Sequence, residues 1–475
     1  MNVIFVVFDT LRQDCVDAYG KTPPWGPVHT PHLDAFARES MVFTRAYPEV
    51  LPTLPARRAL YTGQRVYPFW NADFRLKGDF IGAPGWGPIP ESQDTVAEML
   101  RRAGCRTGLV GDCYHMFKPS KNYTRGFDQW TFLRGKEQDP YRSGPEISDA
   151  ELQKWLAPEL YDLTNSIGQS VVEFTRNCLR NMHGRTKEED YFAPQVFMEA
   201  SRWVEQNLDA KQFYLVIESF DPHEPWFIPD YYRRMYDDSD SREQVISIYD
   251  STATLSPDLL RRARANYSGL VTMCDRWFGV FYDKLRVLGL LENSVVIVLS
   301  DHGHAMGDGD YMGKRGYPSH PSVYDLVFMV RYPGGVGAGQ RTDLLLQHTD
   351  IAAQILDFAG VTPTQPLHGI PFWDAALKGS PIRDHVTVGW GGAMTVIDER
   401  YWMNCKIDGS GPFLYDLTAP QPFETNVADS LPEIVRSMYA KGVADANGEF
   451  PPFLLELAAS QDDAPGCSAL AARTL

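Results

Sequence analysis

The chain has 475 residues, 44% hydrophobic and 22% charged, which suits a soluble globular protein of one large domain and a smaller one. Its 45 basic against 61 acidic residues give a formal charge of −16, which excludes nucleic acid or an anionic membrane as the main partner. Seven scattered cysteines, with no CxxC pair, fit a reducing compartment rather than a disulfide framework.

The opening "MNVIFVVFDTLRQD" has six apolar residues between Asn2 and Asp9. It lacks the basic start, longer apolar stretch and small-residue cut of a secretory signal, and no run reaches the ~20 apolar residues of a membrane span. The segment reads as a buried first strand of a cytoplasmic protein. Further apolar runs follow in "TGLVGD", "FYLVIESFD", "SVVIVLSDHG" and "LVFMVRYPG". Continuous runs of this kind suit strands buried on both faces of a mostly parallel sheet. Helical patterns lie between them: "TPHLDAFARES", "DTVAEMLRRAG" with an Asp94 cap, a long amphipathic stretch opened by Ser256-Pro257, and "TDIAAQILDFAG" closed by Gly360. The alternation predicts a three-layer α/β/α domain over 1–370.

Residues 136–212 break the pattern and read as an insertion on the sheet rim, for substrate selection or for oligomerisation. From 371 onward, β-branched and aromatic residues in short runs with Gly-rich turns predict a small C-terminal α+β domain with an antiparallel sheet. A loose tail follows Gln461.

Three runs end in acids or histidines: Asp9, Asp221 with His223, and Asp301 with His302. In an open α/β sheet, ligands collect at these carboxyl ends. Asp9, Asp301 and His302 form a hard-leaning ligand set for a divalent Mn, Zn, Mg or Ca ion, and Thr10 offers another oxygen. Two carboxylates brought together without a cation would raise at least one pKa.

The loop "EVLPTLPARRALYTG" then gives Thr53 a purpose. A threonine hydroxyl is a poor nucleophile until a base or metal lowers its pKa. Thr53 on the ion, Pro55 stiffening the turn, Arg57 holding negative charge and a helix from "RALYTG" aiming its amides at the anion make one coherent site. The plainer alternative has Thr53 capping the helix and Arg57 pairing with a surface acid.

These residues resemble the sulfatase branch of the alkaline phosphatase superfamily over nearly the whole length. "FDTLRQDCVDAYG", "TLPARRALYTG", "SFDPHEPW", "SDHGHAMGDGDYMGK", "LLLQHTDIAAQILDFAG" and "FLYDLTAPQPFETNVAD" follow that family's motifs in order. The resemblance implies metal binding by Asp9, Asp301 and His302, with Thr53 in the nucleophile position, which also contacts the ion, and Arg57 beside it. His223 and Lys314 would contact the ester oxygens and the leaving group. Thr10 stands where formylglycine sulfatases usually carry a second Asp.

The departures carry the functional expectation. Threonine bears a methyl on its β-carbon and cannot yield the formylglycine aldehyde, and Ala56 replaces the usual Ser of the modification motif. Thr53 is similar instead to the threonine nucleophile of superfamily phosphodiesterases. In "LVGDCYHM", Asp112 replaces a sulfate-binding lysine, with His115 nearby. A second metal would need Asp221, His223 and His348. His304 and His320 are further pocket candidates, and Arg125, Arg134 and Lys136 form a cationic run. Tyr415 and Asp416 read as packing and turn residues. The expected function is metal-dependent hydrolysis of a small anionic phosphodiester or phosphonate monoester. Sulfuric ester hydrolysis without formylglycine and a non-catalytic anion-binding scaffold are the alternatives.

Overall fold

A computed structural model describes residues 1–70, 83–119, 121–162, 164, 170–240 and 248–460. The tail after Gln461 lies outside the described residues. An eight-stranded sheet runs in the spatial order Arg341–Thr342, Met41–Phe43, Phe328–Arg331, Ser294–Ser300, Asn2–Phe8, Phe213–Ser219, Arg106–Gly111, Gln129–Phe132. Pairing is parallel except along Phe328–Arg331, which is antiparallel to both neighbours.

The three central strands are buried at every position, because helices cover both faces. Along Asn2–Phe8 the side chains alternate. Ile4, Val6 and Phe8 join a core with the helices Pro31–Arg38, Phe192–Gln206 and Pro257–Val287. Val3, Phe5 and Val7 face the helices Thr53–Thr62, Val96–Arg102 and His348–Ala359. The mixed α/β architecture is thus the expected one. Within 136–212, however, the helix Phe192–Gln206 is part of the sheet's core packing and not a rim element.

Two helix starts differ from the sequence expectation. Thr95, not Asp94, caps the helix Val96–Arg102, in a capping box with Glu98. The second helix begins at Thr53 rather than near Arg58, with Pro52 at the cap position.

The C-terminal strands His385–Trp390, Ala393–Asp398, Tyr401–Lys406 and Phe413–Asp416 form an antiparallel sheet under the helix Pro432–Asp445. Tyr415 and Asp416, expected as packing and turn residues, belong to its last strand, and Asp416 also closes the following turn by accepting from Thr418 N at 3.0 Å. This sheet reaches back to the large domain just ahead of Thr53: Leu51 N donates to Gly389 O at 3.0 Å and Gly389 N to Glu49 O at 3.1 Å. Only glycine fits there, since a Cβ on Gly389 would come within 2.5 Å of Tyr67. Among the described residues, no helix is long and apolar enough to cross a membrane. The six described cysteines are buried free thiols.

Candidate active site

Strand register gathers the chemistry. Phe8 lies level with Ser219 on one side and Ser300 on the other, so the next residues, Asp9 and Asp301, leave the sheet side by side. Gly111 pairs with Glu218, which brings Asp112 to the same edge. One edge of four parallel strands therefore carries Asp9, Asp112, Glu218, Asp221, His223, Asp301 and His302.

Asp9, Asp301 and His302 are fully buried and offer ligand atoms within 4.8 Å of one another. His302 Nδ1 lies 2.9 Å from Gly303 O and must carry the proton there, which leaves Nε2 as a bare lone pair. That Nε2 lies 3.5 Å from Asp301 Oδ2 and 4.0 Å from Asp9 Oδ1. Burial and then Lys314 lower the imidazole to about 3, so it is neutral. Burial and then Asp301 raise Asp9 to about 6. Asp9 Oδ1, His302 Nε2 and Thr10 Oγ1 are buried without a hydrogen-bond partner. Such orphaned acceptors are costly unless a cation takes them up. The donor set is hard oxygen plus one imidazole, so these residues fit a divalent metal. Thr10 sits in the left-handed region (φ 59), held there by Thr10 N donating to Asp301 Oδ1 at 3.1 Å and Tyr267 Oη donating to Thr10 O at 2.8 Å.

Thr53 is buried at the first position of its helix, and its hydroxyl is not the cap. The side chain four residues on ties its backbone to the carboxylate pair. Arg57 Nη1 donates to Thr53 O at 3.2 Å, to Asp9 Oδ2 at 3.0 Å and to Asp301 Oδ2 at 2.6 Å. Arg57 thus pairs with buried acids, not a surface one. Its other edge meets Glu218, with Nε and Nη2 at 3.0 and 2.9 Å from Oε2. Tyr61 Oη donates to Glu218 Oε1 at 3.0 Å. Three carboxylates against one guanidinium leave two formal negative charges, the charge a divalent ion cancels. Burial is also what raises Glu218 to about 7, against the pull of Arg57.

At the same strand edge, Lys314 Nζ lies 2.8 Å from His223 Nε2, and His223 Nδ1 lies 2.8 Å from Glu224 O. His223 therefore donates at Nδ1 and accepts from Lys314 at Nε2. Burial, and then Lys314, hold its pKa well below the usual imidazole value. Tyr249 Oη bonds Glu224, and His304 lies beside it with Nδ1 3.8 Å from Glu224 Oε2. His115 Nε2 lies 3.1 Å from Glu137 Oε2.

The residues named for a second ion are not gathered. Asp221 is held by Lys136 Nζ at 2.5 Å and by Ala193 N at 3.1 Å, and His223 by Lys314. Among the described residues, the one grouping with metal-ligand spacing is Asp9, Asp301 and His302. Lys136, which read as a loop cation, is instead a buried strut for the Asp221–His223 turn, also donating to His223 O at 2.9 Å. Arg134 forks onto Asp139, Arg125 binds the 90–98 segment, and His320 caps the helix Pro321–Tyr324. Burial and then Asp221 raise Asp112 to about 8. Sequence reasoning missed Glu218, Tyr61, Glu137, Glu224 and Tyr249. Only Glu218 carried a signal, as an acid inside the apolar run "FYLVIESF".

Residues 1–361 match the family described as Sulfatase. An arylsulfatase of Clostridium perfringens (strain 13 / Type A) is 24% identical over 412 residues, 81% of this chain and 80% of its own. A multifunctional alkaline phosphatase superfamily protein of Trinickia caryophylli is 23% identical over 421 residues, 80% and 78% of the two chains. Among solved structures, the phosphonate monoester hydrolase of Agrobacterium radiobacter superposes with a TM-score of 0.69 at 21% identity, covering 94% of this chain and 95% of that one.

Proposed function

The chain belongs to the sulfatase family, an ester hydrolase family of the alkaline phosphatase superfamily, and from that premise we propose that it hydrolyses phosphodiesters or phosphonate monoesters through a covalent ester on Thr53. The observation that carries this reading is the single nitrogen, Arg57 Nη1, that touches Thr53 O, Asp9 and Asp301 together. It ties the start of the Thr53 helix to the carboxylate pair. A threonine there can form an ester but not an aldehyde hydrate, and in this reading the transferred group passes through Thr53 Oγ.

Asp9, Asp301 and His302, with Thr10 Oγ1, would hold the ion, of Mn, Zn or Ca type. When bound, such an ion lowers the proton affinity of the Thr53 hydroxyl and neutralises charge on the ester. Arg57, its fork held by Asp9, Asp301 and Glu218, supplies fixed positive charge beside the transferring group. Lys314, held by the neutral His223, supplies a proton or positive charge to the departing oxygen. Asp112, where a sulfatase lysine is expected, removes one cation from the pocket.

Sulfuric ester hydrolysis is the second reading, favoured by relatives described as an arylsulfatase and an endo-4-O-sulfatase. Rates on an aryl phosphodiester, an aryl phosphonate monoester and an aryl sulfate separate the two, and the first two should be faster. Thr53→Ala should lose at least ~10²–10³ in turnover, the cost of one essential transition-state group. Retention of most activity by that variant would remove Thr53 from the chemistry, and a dominant aryl sulfate rate would favour the second reading.

A further inference from the structure

We propose that Glu137 is the base that activates the water which cleaves the Thr53 ester; this rests on the assignment of Thr53 above. A threonine ester has no internal route of collapse, so water must attack it. Displacement in line with Thr53 Oγ requires that water to enter from the side the leaving group vacated. That side is marked by Lys314 and His223.

Glu137 meets this requirement in four ways. Its Oε2 is held at 3.1 Å by His115 Nε2. Its chain neighbour Lys136 donates to Asp221 and to His223 O, and His115, which holds it, packs edge-on against Phe220, whose ring stacks on His223 at 4.3 Å; together they place Glu137 beside the His223–Lys314 pair. Its side chain keeps 12% exposure, so water reaches it, whereas Glu224 is 4% exposed and engaged by Tyr249. Its backbone is in the left-handed region (φ 51), unusual for glutamate. Asn177 Nδ2 at 3.2 Å and Cys178 Sγ at 3.5 Å donate to its carbonyl and hold that conformation. Strain kept in place by surrounding structure is characteristic of functional positions. Burial, countered in part by Lys314, raises the carboxyl to about 7, which suits a base working near neutrality.

In the step, the water oxygen bonds to phosphorus as the bond from phosphorus to Thr53 Oγ breaks. One water proton passes to Glu137 and the other stays on the product acid. The electron pair left on Oγ takes up the Glu137 proton through solvent, which restores both groups.

Rapid-quench kinetics of Glu137→Gln on a chromogenic aryl phosphodiester test this. The first equivalent of phenol should appear in a burst as in the wild type, while steady turnover falls ~10²–10⁴-fold, the usual contribution of a general base. Mass spectrometry should find the adduct accumulating on the Thr53 peptide, and formate should restore turnover to Glu137→Ala. Burst and steady rate falling together, or a steady rate left unchanged, would overturn the role of Glu137 alone. An adduct-free Thr53 peptide in both proteins, with Thr53→Ala active, would overturn the nucleophile and the base together.

Discussion

Arg12 and Arg57 are both fully buried among aspartates near the end of the first strand, and they differ in one respect. Around Arg12 every donor and acceptor is matched. Nε donates to Asp14 at 2.8 Å, Nη2 to Asp14 at 2.6 Å and Asp308 at 3.1 Å, and Nη1 to Asp308 at 2.5 Å and His304 O at 2.9 Å. The Trp25 ring, 4.8 Å away, closes the cluster. Arg57 faces three carboxylates, and Asp9 Oδ1, Thr10 Oγ1 and His302 Nε2 beside it have no partner. A satisfied polar cluster holds structure together, and one with converging orphaned acceptors is built for something else to bind. The contrast locates the functional end of the sheet without any appeal to likeness.

Breaking each cluster should therefore give opposite results. Asp301→Asn should lose the bound divalent ion, measured by elemental analysis, and ~10²–10³ or more in turnover. Its stability in chelator should hold or rise, because one of two repelling buried carboxylates is gone. Arg12→Met should instead cost about 3–5 kcal/mol by denaturant titration, since Asp308 would be left buried, and Asp14 partly buried, without their counter-charge. The metal content of the folded protein should not change. If Arg12→Met emptied the site as Asp301→Asn does, the two clusters would be one unit.

The difference between the clusters was half legible in the sequence. Asp9, Asp301 and His302 end strands whose apolar runs declare themselves, and parallel register then places them side by side. Arg57 was legible because adjacent arginines beside a hydroxyl have no place in a mere connection. What could not be read is pairing across the fold. "ESFDPH" gives no sign that Lys136, 85 residues away, takes Asp221 out of a second ion site. Nor does "LRGKEQD" show that a strained backbone turns Glu137 toward His115. The helix start at Thr53 rather than Arg58 was missed for a local reason: Pro55 reads as a turn residue, yet in the first helical turn its absent N–H costs nothing.

Glu218→Gln sharpens the contrast further, because it touches the open cluster without touching a ligand. The amide keeps contact with Tyr61 and loses its ionic hold on Arg57. Turnover should fall about 10–100-fold, the usual cost of an orienting partner one shell out. Metal content should hold, and a loss of the ion would mean that Glu218 belongs to the binding set.

The smallest effect lies in how the two clusters respond to pH in chelator-treated protein. Asp9 is raised from 3.8 to about 6 by burial and Asp301, so the folded chain binds that proton more tightly than the unfolded one. Its contribution to stability is full below pH 3.8 and declines as pH rises toward 6. Asp308 goes the other way: burial pushes its carboxyl up, but Arg12 outweighs burial and holds it well below 3.8. Its contribution is present above that value and disappears only as pH falls further. Thermal melts from pH 2 to 7 should therefore lose the decline between about 4 and 6 in Asp9→Asn and keep the acid limb, while Asp308→Asn should do the reverse. Should Asp9→Asn keep that decline, the strain in the open cluster would have to reside on another carboxylate, with Glu218 the first to exchange for Gln.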